Sequence, residues 1–266
     1  MTKRNASRYP GIRSFERGEQ NLFFGRQRET QALFEAVKVK PLTVLFSQSG
    51  IGKTSLLNAG LPPLLSQNGF LPIIIRLQDT SISPVETLQK VLTEYLDTQK
   101  LEQFGQKPYS LWEYVRACHF GQSEVADSET PVPTVPVLLF DQFEELFTHA
   151  AGKRAELTRA LADLLNERLP EEVRRQLRQF PREQRSTELL EWYNPVKIKI
   201  VFAIRADRLS DLDTLKNDIP TVLNDRFHLK PLSHDNAREA IIRPAALTAS
   251  DFALTSDFGL TSDFAL

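Results

Sequence analysis

Short apolar runs alternate with helical patterns along most of the chain. Continuous apolar runs of four to eight residues are typical of strands that are covered on both faces of a sheet. The predicted strands are 42–46, 71–77, 137–141 and 196–203, and the predicted helices are 26–37, 84–96, 110–119, 153–169 and one or two within 171–192. This alternation predicts an α/β fold of three layers, with a mostly parallel central sheet and a ligand site at the carboxyl ends of the strands.

A glycine-containing turn follows the first predicted strand, with the sequence SQSGIGKTS at 47–55. Strand, glycine turn and a helix opened by Gly-Lys-Thr form a P-loop, in which backbone N–H groups and the helix N-terminus surround a phosphate. We expect Lys53 to reach the terminal phosphates and the Thr54 hydroxyl to ligate magnesium. The other predicted nucleotide-binding residues of this turn are Ser49, Gly50, Ile51, Gly52 and Ser55. Ser47 replaces the first consensus glycine and fits if its φ is negative.

A carboxylate ends the third predicted strand. Asp141 stands where P-loop NTPases carry the aspartate that organises magnesium. Glu144 and Glu145 follow about one helical turn later. We expect Glu145 as first choice, and Glu144 as second, to polarise the attacking water. The alternative is that both are solvated residues of a first helical turn, where the helix dipole favours carboxylates.

An arginine follows the fourth predicted strand. The guanidinium of Arg205 can contact the γ-phosphate and sense its presence; a surface salt bridge is the alternative. The neighbouring Asp207 and Arg208 are expected to pair with each other or to cap a helix near Ser210.

Composition narrows the classes of function. The chain has 266 residues and a formal net charge of -1, which argues against attraction to nucleic acid or to an anionic membrane. No apolar run is long enough to span a membrane, and the N-terminus lacks a signal-peptide core. The single cysteine, Cys118, cannot form an intrachain disulfide, which fits a reducing cytoplasm.

Three copies of a hexapeptide, ASDFAL, TSDFGL and TSDFAL, occupy residues 249–266. Three copies are too few for a solenoid that buries its own core. We therefore expect a weakly ordered tail over 248–266. An apolar docking strand is the alternative, because one side of an extended tail would collect its Phe and Leu side chains.

Several motifs in order resemble one known family. They are YPGIRSF at 9–15, LFFGRQRE at 22–29, SGIGKTSLLNAGL at 49–61, FDQFEELF at 140–147, IRAD at 204–207 and the segment 231–245. Together they resemble the novel STAND NTPases, a prokaryotic branch of the signal-transduction ATPases related to NACHT and apoptotic ATPases.

The resemblance implies a division into an N-terminal segment 1–25, a P-loop NTPase domain 26–230 and the start of a helical lid at 231–247. It implies ATP or ADP with Mg²⁺ as cofactors, and it places Phe24, Gly25 and Arg26 near the adenine and ribose. It also implies a nucleotide switch with slow ATP hydrolysis, and self-association or a signalling-protein partner. The family's winged helix, sensor and effector do not follow residue 246, so the chain is expected to be C-terminally truncated.

Two other functions stay open at this point. One is a non-enzymatic remnant that acts, if at all, as an interaction fragment. The other is a motor-like AAA+ ATPase or a small-molecule kinase, although no acceptor-binding segment is evident.

Overall fold

The computed structural model describes residues 8–102, 108–123, 132–166, 168–171, 173–175 and 197–247. Its strands are β1 (Leu42–Ser47), β2 (Phe70–Ile75), β3 (Gln122–Ser123), β4 (Val132–Pro133), β5 (Val135–Phe140), β6 (Lys199–Arg205) and β7 (Arg226–His228). Five of them form one sheet in the order β2-β5-β6-β1-β7, with every neighbouring pair parallel. The short strands β3 and β4 pair with each other in antiparallel fashion. The predicted α/β class with a parallel sheet is confirmed.

Helices connect these strands. The α-helices are α1 (Gln27–Val39), α2 (Lys53–Ser55), α3 (Leu61–Gln67), α4 (Pro84–Leu92), α5 (Thr98–Glu102), α6 (Leu111–Ala117), α7 (Ala151–Leu165) and α8 (His234–Ala246). A π-helical turn at Leu56–Gly60 joins α2 to α3. Among the described residues, 3₁₀ segments lie at Gln20–Leu22, Thr93–Tyr95, Phe143–Thr148 and Ala206–Leu215. Among the described helices, α4 and α6 begin with capping boxes, which satisfy the free N–H groups of the first turn.

The sheet separates two apolar cores, because successive residues of a strand point to opposite faces. In β6, Ile200, Phe202 and Ile204 join one core, whereas Val201 and Ala203 join the other. The first core is covered by α4, α6 and α7, and the second by α1, the π-helical turn and α3. This arrangement gives the three layers that the sequence predicts.

Some element boundaries differ from the predictions. The strand β2 ends at Ile75, two residues earlier than predicted, so that Arg76 lies just beyond it. The residues after Asp141 form a 3₁₀ segment rather than an α-helix. The edge strand β7 has only three residues and an exposed–intermediate–exposed pattern, which no apolar run in the sequence marks. Most of the predicted helical region 171–192, and all of the predicted tail 248–266, lie outside the described residues.

Within the described ranges, every helix is either too short or too polar to cross a lipid bilayer.

Candidate nucleotide-binding site

The turn between β1 and α2 opens onto free space. Gly50 and Gly52 have φ values of +80° and +104°, in the left-handed region that favours glycine. A Cβ built on either residue meets no heavy atom within 4 Å, its own chain neighbours aside. The turn therefore leaves room for a ligand to approach its backbone closely. Gln48, Ser49 and Gly50 are exposed on this surface.

Ser47 occupies the first position of the motif without strain. Gln142 is the one described non-glycine residue with a positive φ, so the φ of Ser47 is negative, as the motif requires of a residue with a side chain. The Ser47 hydroxyl donates to the Gln48 carbonyl oxygen at 2.9 Å. It also accepts a hydrogen bond from Lys53 Nζ at 3.1 Å.

Lys53 is folded back into the turn. Its ammonium group also donates to the carbonyl oxygens of Ser47 at 3.1 Å and Gln48 at 3.2 Å, and the residue is only 8% exposed. Burial lowers the pKa of Lys53, while the nearby Glu144 and Asp141 carboxylates raise it. An anion at the turn can therefore take the place of carbonyl oxygens that already surround this ammonium group.

The structure brings the predicted magnesium residues together. The Thr54 Oγ1 atom donates to Asp141 Oδ1 at 3.0 Å. Asp141 directly follows β5, which is separated from β1 by β6 in the sheet. The carboxyl ends of parallel strands meet at one edge, and this explains why residues far apart in sequence meet here. Asp141 is 3% exposed.

Sequence reasoning missed Arg76. Its Nη2 atom lies 3.1 Å from Asp141 Oδ2, on the side of the carboxylate that Thr54 leaves free. Its Nε atom is buried and has no hydrogen-bond partner among the described atoms. The available signal is the charge of Arg76 near the carboxyl end of an apolar run, which the prediction continues as a strand to residue 77.

The two glutamates after Asp141 have different surroundings. Gln142 adopts the left-handed conformation, with φ of 53°, and turns the chain into the 3₁₀ segment. The backbone N–H of Leu77 lowers the pKa of Glu145, whereas the Oε2 atom of Glu145 is buried and unpartnered among the described atoms. Burial is the main cause that raises the pKa of Glu145. Glu144 Oε2 accepts from the Arg205 N–H at 3.3 Å.

Arg205 lies at the carboxyl end of β6 with its side chain in solvent. Its Nε and Nη2 atoms donate to the two carboxylate oxygens of Asp207 at 3.0 and 2.8 Å. Arg208 instead donates to Asp211 at 2.5 Å, so the predicted pairing of Asp207 with Arg208 is wrong. The physical reason is that Arg205 ends β6 and Asp207 lies two residues later, in the first turn of the 3₁₀ segment, where its carboxylate accepts both guanidinium hydrogen bonds. Hydrogen bonding to Arg205 lowers the pKa of Asp207.

Gly25 and Arg26 lie between the P-loop turn and α8. Arg26 is 5% exposed and donates to the Ile51 carbonyl oxygen at 2.9 Å and the Lys230 carbonyl oxygen at 2.8 Å. Gly25 has φ of +80°, and a Cβ built on it would lie 2.3 Å from the Asn236 carbonyl oxygen of α8. The two residues thus connect the turn to the helix.

The remaining predicted residue of the turn faces another way. The Ser55 hydroxyl accepts a hydrogen bond from the Phe15 N–H at 3.2 Å. Phe15 also accepts from Asn58 Nδ2 at 3.0 Å. Ser55 therefore anchors the N-terminal segment to the helix instead of lining the open side of the turn.

A parallel sheet with a glycine turn after β1 and a strand-end aspartate against the turn's threonine defines a P-loop nucleoside triphosphatase. Residues 9–257 match the family model described as Novel STAND NTPase 1. The chain therefore belongs to the novel STAND NTPase family.

No curated protein matches the chain. Among solved structures, the Walker-type ATPase PABY2304 of Pyrococcus abyssi is similar, with 17% sequence identity and a TM-score of 0.49. The similarity covers 92% of this chain and 65% of that chain, so this chain spans about two thirds of its length.

Proposed function

We propose that the chain is a STAND-type ATPase module that binds ATP or ADP with Mg²⁺ and acts as a nucleotide switch. The observation that carries the proposal is the contact of 3.0 Å between Thr54 Oγ1 and Asp141 Oδ1. It lies beside a glycine turn that faces open space. In this proposal, Lys53 and the turn backbone hold the phosphates, and Gly25 and Arg26 lie towards the adenine and ribose.

The donor atoms fit Mg²⁺. A hydroxyl and a carboxylate are the hard oxygen ligands that this ion prefers, and Mg²⁺ is usually held by one or two carboxylates together with substrate phosphates. The described residues contain no group of three or more His, Cys, Asp or Glu side chains that could hold an ion alone. Protein and nucleotide would therefore hold the ion jointly. Bound Mg²⁺ would neutralise developing charge on the transferred phosphoryl group.

We assign the catalytic residues from their free atoms. The buried Oε2 of Glu145 is an acceptor without a donor, which suits a carboxylate that orients a water molecule. Glu144 is occupied by the Arg205 N–H, so it stays the second choice. Arg205 senses the γ-phosphate in this proposal, and it must then exchange Asp207 for a phosphate oxygen.

The switch is proposed to act through α8. Arg26 donates to the carbonyl oxygen of Ile51 in the P-loop turn and to that of Lys230, which lies shortly before α8. A ligand at the turn and the position of α8 are therefore physically linked. Self-association or a signalling-protein partner belongs to this proposal. The proposal also includes a cytoplasmic location. It divides the chain into an N-terminal segment 1–25, a P-loop NTPase domain 26–230 and the start of a helical lid at 231–247.

Isothermal titration of the purified chain with ADP and Mg²⁺ tests nucleotide binding. We expect saturable heat that is lost in Lys53→Ala, because the ammonium group opposes phosphate charge. Lys40→Ala is the matched control, since the Lys40 side chain forms a surface ion pair with Asp225 outside the site. Absence of heat in the unsubstituted chain, or heat that persists in Lys53→Ala, contradicts the proposal.

Hydrolysis is tested separately with ATP and Mg²⁺. We expect slow phosphate release that Glu145→Gln reduces by about 10²-fold, as for loss of a general base, while ADP affinity is retained. Rapid steady turnover, or phosphate transfer to an added acceptor, would instead favour a motor ATPase or a kinase. No binding and no cooperative unfolding would favour the remnant.

A further inference from the structure

Arg76 is a charged residue at the centre of the site that the nucleotide-binding motifs do not account for. In the β2–β5 register, Ile75 lies opposite Phe140, so the next residues of the two strands, Arg76 and Asp141, come side by side. The Asp141 N–H donates to the Ile75 carbonyl oxygen at 2.9 Å, which fixes this register at the strand ends. Backbone geometry therefore places the guanidinium beside the carboxylate.

Arg76 supplies the positive charge that Asp141 needs. A carboxylate that is 3% exposed is strongly unfavourable without a cation or several donors. Thr54 contributes one neutral hydroxyl, and the ammonium group of Lys53 is held by oxygens of Ser47 and Gln48. Among the described residues, Arg76 makes the ion pair with Asp141.

The same carboxylate is the proposed magnesium ligand. Both of its oxygens already have partners, Thr54 Oγ1 on Oδ1 and Arg76 Nη2 on Oδ2. A divalent cation here and the guanidinium would repel each other at short range. The Arg76 side chain is 37% exposed, and its Nε has no partner among the described atoms. The guanidinium is therefore bound to Asp141 through Nη2 and can move away from it towards solvent.

We propose that Arg76 is a built-in counter-ion, which neutralises Asp141 in the metal-free protein and yields this carboxylate to Mg²⁺ when nucleotide binds. Arg76 thereby determines how strongly nucleotide binding depends on Mg²⁺. The inference rests on the proposed nucleotide site and assigns a role to a residue that the site motifs leave out.

Two consequences follow from removing the guanidinium. Without metal, Asp141 is left buried and unpaired, so the metal-free protein loses stability. With metal, the competing charge is gone. The ratio of ADP affinity in Mg²⁺ to ADP affinity in EDTA should therefore rise, by about tenfold or more, which is the order by which an adjacent charge changes a carboxylate's affinity for a proton.

The experiment measures ADP binding by isothermal titration, in Mg²⁺ and in EDTA, for the unsubstituted chain, Arg76→Met and Arg76→Lys. Arg208→Met is the matched control, because Arg208 makes a surface pair with Asp211 outside the site. We expect the affinity ratio to rise in Arg76→Met and to stay near its original value in Arg76→Lys and Arg208→Met. The second measurement is the melting temperature of the same proteins with and without Mg²⁺, in the absence of nucleotide. Mg²⁺ should raise the melting temperature of Arg76→Met more than that of the unsubstituted chain.

Other outcomes overturn the inference in distinguishable ways. Equal loss of ADP affinity with and without Mg²⁺ in Arg76→Met means that Arg76 contacts the phosphates. An equal fall in melting temperature with and without Mg²⁺, at an unchanged affinity ratio, means a purely structural role. If Arg76→Met does not fold, the double variant with Asp141→Asn removes both charges; it should fold, and its affinity ratio should approach one. Failure of the unsubstituted chain to bind ADP in Mg²⁺ rejects the proposed function itself.

Discussion

At the scale of single residues, the site depends on a buried ammonium group and the oxygens around it. A charged group that is hidden from water needs hydrogen-bond acceptors, and Lys53 finds three on Ser47 and Gln48. One of these acceptors is the hydroxyl that distinguishes Ser47 from the consensus glycine. The departure from the motif therefore stabilises the ligand-free turn.

Replacing Ser47 with alanine tests this hydroxyl. We expect the free energy of unfolding to fall by about 1 kcal/mol, because Lys53 loses one acceptor but keeps two carbonyl oxygens. Urea unfolding monitored by circular dichroism measures the change. Ser49→Ala is the control in the same turn. Because Ser49 is exposed, this substitution should change the free energy of unfolding by no more than about 0.5 kcal/mol. Equal effects of the two substitutions would contradict the role given to Ser47.

Glu145 provides a test that depends on pH. Burial raises its pKa above the ordinary 4.5, while Arg76 and the Leu77 N–H oppose this and Asp141 and Glu144 add to it. The folded chain therefore binds this proton more tightly than the unfolded chain. The resulting stability is present below pH 4.5 and is lost as pH rises through the higher pKa of the folded state.

We therefore expect Glu145→Gln to gain stability relative to the unsubstituted chain as pH rises from about 4 to 7. Glutamine does not titrate, so it avoids the desolvation of a charged carboxylate. Urea unfolding of both proteins at several pH values gives the difference directly. A difference that is constant or that shrinks with rising pH would count against the raised pKa.

At the scale of elements, α8 is held by the N-terminal segment more than by a core. Pro244 is its one buried residue. The Tyr9 hydroxyl donates to the Ile241 carbonyl oxygen at 2.7 Å, and Arg243 lies 4.6 Å above the ring of Phe24. Gly25 completes the contact, because its missing Cβ lets the chain approach the α8 backbone.

Gly25→Ala should loosen α8 from the rest of the molecule. Gly18→Ala is the matched control, because Gly18 has φ of +90° and no atom within 4 Å of a built Cβ. Backbone strain from an alanine at positive φ should lower the free energy of unfolding of Gly18→Ala by about 1 kcal/mol. The contact with Asn236 should add about 1–3 kcal/mol in Gly25→Ala, as for overpacking. Chemical unfolding gives both values, and hydrogen exchange in α8 should speed up only in Gly25→Ala; identical losses would show that α8 is free to move away.

The elements that sequence reasoning predicted are those with a local signal. The first strand, its glycine turn and the aspartate at the end of β5 are each marked by contiguous residues. The end of β2 was misplaced, because Arg76-Leu77 continues the apolar run, and only the pairing with β5 shows where the ladder ends. The strand β7 was missed because three alternating residues carry no usable period. The 3₁₀ segment depends on the left-handed Gln142, which no pattern of apolar positions reveals.

At the scale of the whole molecule, the site is assembled from distant parts of the chain. Arg26, the β1–α2 turn, Arg76, Asp141 and Arg205 come together only when the parallel sheet is complete. Motifs identified Lys53, Thr54 and Asp141 separately, but their contacts depend on strand order, which is set by long-range packing. Because the sheet's strands are shared by both cores, we expect site formation and global folding to be one cooperative event.

This cooperativity makes nucleotide binding visible in the stability of the entire chain. A ligand that binds only the folded state adds about 2.7 kcal/mol to the free energy of unfolding at 100 times its Kd. We expect ADP with Mg²⁺ to shift a single urea transition by this amount without changing its slope, because the slope reports the surface exposed on unfolding. Lys53→Ala should unfold with the same slope and show no shift. Two separate transitions, of which ADP moves only one, would show that the cores unfold independently. A broad transition that ADP leaves unchanged would favour the non-enzymatic remnant over a nucleotide-binding module.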